Sequence, residues 1–178
     1  RVRRKFQDVL AERGVQVPNN ATVTRVAQGN LECADGRVVV ADEIMWVTQA
    51  GGAPWLQSTG LALGAGGFIS VRDSLQTITD PLVFAAGDIA AMENFPLEKA
   101  GVFAVRMGAP LAENLRRSVQ GRALQDYRPQ SRWLALISTG NTYAVASRGA
   151  LGFWGDWVWR WKDRIDRNFM RKFAEFPA

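Results

Sequence analysis

The fold is decided by one stretch of the 178-residue chain, Thr77-Ile78-Thr79-Asp80-Pro81-Leu82-Val83-Phe84-Ala85-Ala86-Gly87-Asp88, and by the helix that follows it. Residues 81–86 form an apolar run bounded by turn residues, which predicts a buried strand. A helix is predicted from about Lys99 to Arg117, with Pro110 inside it and Gly121 just past its end. Apolar strands followed by a long helix favour an α/β sheet over a β sandwich.

The residues before this stretch predict a helix and a small antiparallel sheet. An amphipathic helix is expected through about Arg13, ended by the glycine that follows. Residues 16–40 alternate apolar and polar side chains, and the Asp-Gly pair at 35–36 predicts a hairpin. The apolar run 43–47 predicts a strand buried on both faces.

Four further elements complete the predicted fold. A short strand is expected over residues 67–71, before the central stretch. Two strands, 133–138 and 142–147, follow the central helix, and the short loop between them suits a hairpin. The chain closes with a helix from about 154 to 173. The predicted class is therefore α/β.

Composition removes several classes of chemistry. The chain has no histidine and one cysteine, Cys33, so a His base, a Ser/His/Asp triad, a metal cluster of His or Cys and a CxxC redox pair are excluded within it. No metal site is therefore expected. The net charge is +5, but no basic stripe stands clear of acidic residues, so nucleic acid is not an expected partner.

Cellular location is also indicated by the sequence. A lone cysteine suits the cytoplasm, and no apolar run is long enough to cross a bilayer. The chain begins without an initiator Met and inside a predicted helix. We therefore expect a cytoplasmic protein of which this chain is one piece.

Two groups of residues could hold a ligand. At the end of the predicted strand 81–86, Gly87 would let the backbone approach a ligand closely, and the Asp88 carboxylate could accept a hydroxyl hydrogen bond. An ordinary turn is the alternative interpretation. The helix that opens on Lys99 and Gly101 presents free amides that favour an anion. Close packing of that helix on a sheet is the alternative.

Together, residues 77–88 and the helix start Lys99-Ala100-Gly101 resemble the second FAD-binding motif of the FAD-dependent pyridine nucleotide-disulfide oxidoreductases. Upstream, Trp46-Val47-Thr48 at the end of a predicted strand resembles the segment in which this family returns from the nicotinamide domain to the FAD domain. The resemblance implies that Thr48 contributes to cofactor binding.

The same resemblance assigns roles at the flavin. It implies that Asp88 holds the ribitol chain of FAD and that Gly87 allows the close approach. The main chain of Gly101 and Val102 would lie at the pyrimidine end of the ring. Lys99 and the helix dipole would stabilise negative charge on the reduced ring; a solvated first-turn lysine is the alternative. No catalytic residue is identified.

Three longer motifs narrow the resemblance. Residues 99–106, 136–149 and 159–170 are similar to the branch related to type II NADH dehydrogenases, whose members occur alone or fused ahead of a selenide, water dikinase domain. This implies hydride transfer from NADH or NADPH to FAD and then to an unidentified small-molecule acceptor. Val102 and Arg106 stand where that branch places glutamines towards quinone, which leaves the acceptor open.

The resemblance also implies three parts of a larger flavoprotein. Residues 1–52 would end an NAD(P)H-binding domain with a β-meander, and residues 53–125 would form the C-terminal half of a Rossmann-like FAD-binding domain. Residues 126–178 would form a C-terminal cap of two strands and an amphipathic helix. The Gly-rich dinucleotide fingerprint is absent from the sequence, so this chain alone is expected to be inactive.

The closing helix is rich in tryptophan. At 3.6 residues per turn its apolar side chains fall on one broad face, formed by Trp157, Val158, Trp161, Ile165, Phe169 and Phe173. Packing on the FAD domain or on a second copy of the chain is one interpretation, and peripheral contact with the inner face of the membrane is the alternative. A second hypothesis is therefore a non-catalytic interaction or membrane-docking module with an inherited flavin-binding scaffold, linked to selenium metabolism through the fused relatives.

Overall fold

The computed structural model describes residues 1–47 and 50–174, and within them it combines helices and short sheets. The mixed α/β class is therefore confirmed. Two compact units are present: residues 47–131 form one, and residues 1–46 together with the chain from Arg132 onward form the other. The division into three functional domains remains a prediction.

The N-terminal helix and meander follow the sequence prediction. The elements are α1 (Val2–Glu12), β1 (Val23–Ala27), β2 (Asn30–Cys33) and β3 (Val38–Val40). The three strands are antiparallel in the order β1-β2-β3. Gly14 and Gly36 have positive φ, at the end of α1 and in the β2–β3 turn, as a helix stop and a tight hairpin require. The three valines of β3 are all exposed.

The strand expected over residues 43–47 is wrong. No strand is assigned there, and Met45, Trp46 and Val47 are exposed. A strand buried on both faces needs neighbours along both of its edges. In the part of the chain that the structure describes, no strand pairs with this run.

The sheet of the 47–131 unit is a short parallel pair. β4 (Ile69–Val71) pairs with β5 (Ala90–Met92), and the strand expected over 67–71 is confirmed in shorter form. Apolar side chains cover the pair, with Val71 and Leu75 fully buried and Met107 2% exposed. Burial of such side chains is the main favourable term for a sheet this small.

The strand expected over residues 81–86 is wrong, because the local side chains bond the backbone differently. The Thr77 hydroxyl donates to the Asp80 carbonyl at 2.7 Å, and the Asp80 carboxylate accepts from the Leu82 amide at 2.8 Å. Such local bonds compete with a ladder. Residues 81–82 instead form a turn, and Phe84 makes an isolated antiparallel bridge to Gln76. The strand, β5, begins at Ala90, after Asp88 rather than before it.

The central helix, α2 (Gly101–Val119), matches its prediction, and Gly121 beyond it has positive φ. Asn114, 1% exposed, ties the helix to two other segments. Its amide nitrogen donates to the carbonyls of Ser74 and Gln125, and its amide oxygen accepts from the Gln125 amide, each at 2.8 Å. A buried amide with its hydrogen bonds satisfied holds these segments in one arrangement.

The C-terminal sheet has three antiparallel strands, β6 (Ala135–Gly140), β7 (Tyr143–Arg148) and β8 (Leu151–Gly155), followed by α3 (Asp156–Ala174). The predicted hairpin is confirmed, and its turn residues Asn141 and Thr142 both have positive φ, as a type I′ turn requires. Strand β8 was not predicted, because Trp154 near its end also fits the start of the amphipathic pattern of the closing helix.

Helices α1 and α3 cover opposite faces of this sheet. Lys5 of α1 lies over the Tyr143 ring, 5.5 Å from its centroid. On the other face, Val158 of α3 packs against Ala144 and Ala146, and all three are fully buried. Neighbouring residues of a strand point to opposite faces, so the Tyr143 side chain faces α1 and the Ala144 side chain faces α3.

Asn114→Leu should lower the free energy of unfolding by about 1–3 kcal/mol, because the Gln125 amide and two carbonyls would be buried without partners. Urea unfolding followed by circular dichroism measures the change. The matched control is Asn94→Leu, since Asn94 is exposed and its side-chain amide donates to the Asp73 carboxylate in an exposed hydrogen bond; its cost should be within about 0.5 kcal/mol. Equal losses in the two variants would contradict the clamp role of Asn114.

Candidate functional site

A cleft of about 1200 Å³ opens in the 47–131 unit. Small residues in β5 and in the segment before β4 form much of the cleft wall. They include Gly64, Ala65, Ala90 and Ala91, and the Phe68 ring lies beside them. Pockets for cofactors and substrates are typically concave and mainly apolar, with a few placed polar groups. Asp88 and Lys99 supply such groups here.

The turn that carries Asp88 is fixed by glycine. Gly87 begins a 3₁₀ turn, Gly87–Ile89, with φ of +73°, a conformation that favours glycine. A Cβ placed on Gly87 would lie 3.4 Å from the Cβ of Ala104 in α2. The chain therefore passes close to the helix at this point, and the exposed Asp88 follows at the wall of the cleft.

Lys99 is held against the wall of the cleft. Its ammonium donates to the Ala90 carbonyl at 2.5 Å and lies 3.9 Å from the centroid of the Phe68 ring. Burial lowers the pKa of Lys99 below its usual range, and the Asp88 carboxylate opposes that shift. The side chain thus differs from a fully solvated first-turn lysine, and its ammonium has further N–H donors for a ligand.

The other predicted site residues do not line the cleft or lie outside the described residues. Gly101 and Val102 begin α2 next to Lys99, but neither lines the cleft. Gly101 is exposed, and a Cβ there would meet nothing within 4 Å, so close helix-on-sheet packing does not explain this glycine within the described residues. Thr48 lies outside the residues that the structure describes.

A contact between two glycine segments, which was not predicted from the sequence, shapes the cleft. The Gly52 amide donates to the Gly66 carbonyl at 2.8 Å, and a Cβ on Gly52 would fall 1.8 Å from the Gly67 carbonyl oxygen. The segment before Pro54 therefore lies directly against the turn Ala65–Gly67, whose first residue lines the cleft. The paired glycines at 51–52 and 66–67 were the available signal.

The arrangement suits a large neutral or anionic ligand with hydroxyl groups. Asp88 can accept hydroxyl hydrogen bonds, the Lys99 ammonium can donate to oxygen, and the small wall residues leave room for a flat ring. These features fit the ribitol and ring portions of a flavin. Within residues 1–47 and 50–174, no group of three or more Asp, Glu, Cys or His side chains is placed to hold a metal ion.

Comparison with known proteins places the chain in a family. The family model described as pyridine nucleotide-disulphide oxidoreductase matches residues 1–114. The chain belongs to this family. This match confirms the family resemblance seen in the sequence motifs.

Two individual proteins show how much of a family member this chain represents. It is 28% identical over 144 residues to a type II NADH:quinone oxidoreductase of Haemophilus influenzae, covering 79% of this chain and 32% of that protein. The sulfide:quinone oxidoreductase of Aquifex aeolicus shares its fold, with a TM-score of 0.73 and 20% identity over 95% of this chain and 44% of that structure. The chain thus spans about a third of the curated relative.

No helix in the two described ranges, 1–47 and 50–174, combines the length and the apolar character that a membrane span requires.

Gly52→Ala should lower the free energy of unfolding by about 1–3 kcal/mol, because its methyl group can be accommodated only if the Gly67 backbone moves. Urea unfolding provides the measurement. Gly51→Ala is the matched control, since its nearest contact would be an ordinary 3.9 Å. If both variants lose the same stability, the close approach of Gly52 to Gly67 is not what constrains this segment.

Proposed function

We propose that this chain forms part of an FAD-dependent NAD(P)H oxidoreductase. Hydride would pass from NADH or NADPH to FAD, and electrons would then pass to a second acceptor. The observation that carries the proposal is that Asp88 and Lys99 line one cleft walled by small residues, in a chain that belongs to the pyridine nucleotide-disulphide oxidoreductases. The flavin, when bound, supplies the hydride chemistry.

The protein groups would bind and orient the cofactor. The Asp88 carboxylate would accept hydrogen bonds from ribitol hydroxyls, and the turn at Gly87 keeps it at the cleft wall. The Lys99 ammonium, already bonded to the Ala90 carbonyl, would place positive charge beside a ring that becomes more negative on reduction. Its partly buried position strengthens this interaction relative to water.

The start of α2 would add a second positive influence. Gly101 and Val102 are the first residues of a 19-residue helix, and their amides have no acceptor within the helix. The helix dipole is positive at this end. Main-chain amides here, at the pyrimidine end of a bound ring, would support the same charge as Lys99. Thr48 is proposed as a further cofactor contact on the family resemblance alone.

The choice of electron acceptor would depend on two residues in the first turns of α2. Val102 is half-buried and Arg106 is exposed, so this surface presents an apolar group and a cation. A quinone, the acceptor named for the Haemophilus influenzae relative, and a soluble oxidant are the two alternatives. Steady-state assays with a short-chain quinone and with ferricyanide separate them.

The proposal concerns a longer protein, because the chain spans about a third of its curated relative. The additional length would carry the Gly-rich fingerprint that binds the pyrophosphate of FAD. We therefore propose that the isolated chain binds FAD weakly and is inactive, and that the protein is cytoplasmic.

The full-length protein should purify yellow, release FAD on denaturation, and lose its flavin absorbance when NADH or NADPH is added anaerobically. Asp88→Asn should raise the FAD dissociation constant roughly tenfold to a hundredfold, since it removes charge-assisted hydrogen bonds. Fluorescence titration of the apoprotein measures this. Asp126→Asn is the control, because Asp126 is also exposed in the same unit but does not line this cleft. A colourless full-length protein without FAD would overturn the proposal.

A second candidate function rests on the apolar face of α3. Of its six predicted residues only Val158 is fully buried, while the other five remain 37–55% exposed. Phe153 of β8 extends this face, with its ring 6.0 Å from that of Trp157. An exposed apolar patch of this kind marks an interaction surface.

We propose a second copy of the chain as the occupant of this face. Ion pairs join Lys162 to Asp166 and Arg167 to Asp163, which reduces the positive charge that a membrane-binding helix would use. Peripheral contact with the inner face of the membrane is the alternative outcome. Either form of docking would also serve a non-catalytic module, including one linked to selenium metabolism.

The full-length protein should have the mass of a dimer in analytical ultracentrifugation. The double variant Trp161→Gln, Phe169→Gln should shift it towards monomer by at least tenfold in dissociation constant, because apolar contact area is lost. Arg160→Gln, on the opposite face, should leave the mass unchanged. Flotation of the wild type with vesicles of anionic phospholipid would favour the membrane instead, and a monomer that does not float would remove the docking proposal.

A further inference from the structure

The Asp88 turn is bonded to α2 through sulfur. The Gly87 amide donates to the Met107 Sδ at 3.1 Å. Met107 is 2% exposed and lies in the core of the 47–131 unit. A thioether is a weak acceptor, yet here it accepts a hydrogen bond from the backbone amide of the residue immediately before Asp88, whose carboxylate lines the cleft.

The Gly87 amide needs an acceptor from outside its own turn. It is the first donor of the 3₁₀ turn Gly87–Ile89, and the first amides of a helical turn have no partner within it. A buried donor without an acceptor would cost free energy. The Met107 sulfur therefore satisfies a group that the turn geometry leaves open.

The same helix face supports the turn at a second point. Ala104 of α2 lies against Gly87, where an added Cβ would come within 3.4 Å of its own. Ala104 and Met107 are three residues apart and so lie on one face of the helix. The turn is thus held against α2 by a steric contact and by a hydrogen bond. The hydrogen bond restricts rotation of the Gly87 peptide.

We propose that Met107 is a positioning residue: its sulfur holds the Gly87–Asp88 peptide so that the Asp88 carboxylate is presented to the cleft. The effect on cofactor binding rests on the proposed function, whereas the hydrogen bond itself does not. The competing account is that Met107 only fills space beside Leu111 and the other core residues. The two accounts predict opposite rankings of two substitutions.

Met107→Leu keeps the apolar volume and removes the acceptor, while Met107→Gln keeps the unbranched length and offers an amide oxygen. A positioning role predicts that the Gln variant has slower exchange of the Gly87 amide and tighter FAD binding than the Leu variant. A space-filling role predicts the reverse, because a buried amide packs less favourably than an apolar side chain.

Two measurements on the full-length protein distinguish these accounts. The first is hydrogen exchange of the Gly87 amide in the apoprotein, and the second is the FAD dissociation constant by fluorescence titration. In Met107→Leu both should rise about fivefold to tenfold, and in Met107→Gln both should return to within about twofold of wild type. Leu111→Gln is the control: it places an amide at a half-buried position against the same core, one turn along α2, and should lower stability without changing either readout.

Unchanged Gly87 exchange in Met107→Leu would overturn the inference, and so would a Gln variant that is worse than the Leu variant in both readouts. The Leu variant alone decides the matter if the Gln variant does not fold. A wild-type protein without FAD would refute the proposed function, but the exchange of Gly87 would still test the role of Met107.

Discussion

The three-residue parallel ladder between β4 and β5 is the constraint on which the cleft depends. Parallel pairs this short have little stability of their own, so the ladder exists because α2 and the buried side chains of Val71 and Leu75 cover it. Asp88 precedes β5 and Lys99 follows it. The ladder therefore brings a carboxylate and an ammonium to one cleft although β5 separates them along the chain.

Much of the fold could be predicted because its signals are local. Helical periodicity identified α1, α2 and α3, and glycines with positive φ marked the ends and turns. The two wrong strands, at 43–47 and 81–86, were both read from apolar runs. Apolar character alone does not supply a neighbouring strand in the first case, and side-chain bonds from Thr77 and Asp80 redirect the backbone in the second.

The site was predictable in chemistry but less so in geometry. Residue types at a Gly-Asp pair and a helix start were enough to select Asp88 and Lys99, which do line one cleft. The supports of the site were not visible, because the contact of Gly52 with Gly67 and the bond from Gly87 to Met107 join residues distant in sequence. Nothing in the spacing of a buried methionine distinguishes an acceptor from a core side chain.

The meander at the N-terminal end has a consequence for handling the chain. β3 has one neighbour, β2, in the described residues, and its Val38, Val39 and Val40 side chains are all exposed. Its outer edge therefore presents unpaired backbone donors and acceptors beside apolar side chains, which is a template for pairing with another molecule. We therefore expect pairing at this edge to limit the solubility of the isolated chain, and a lysine introduced there to raise it.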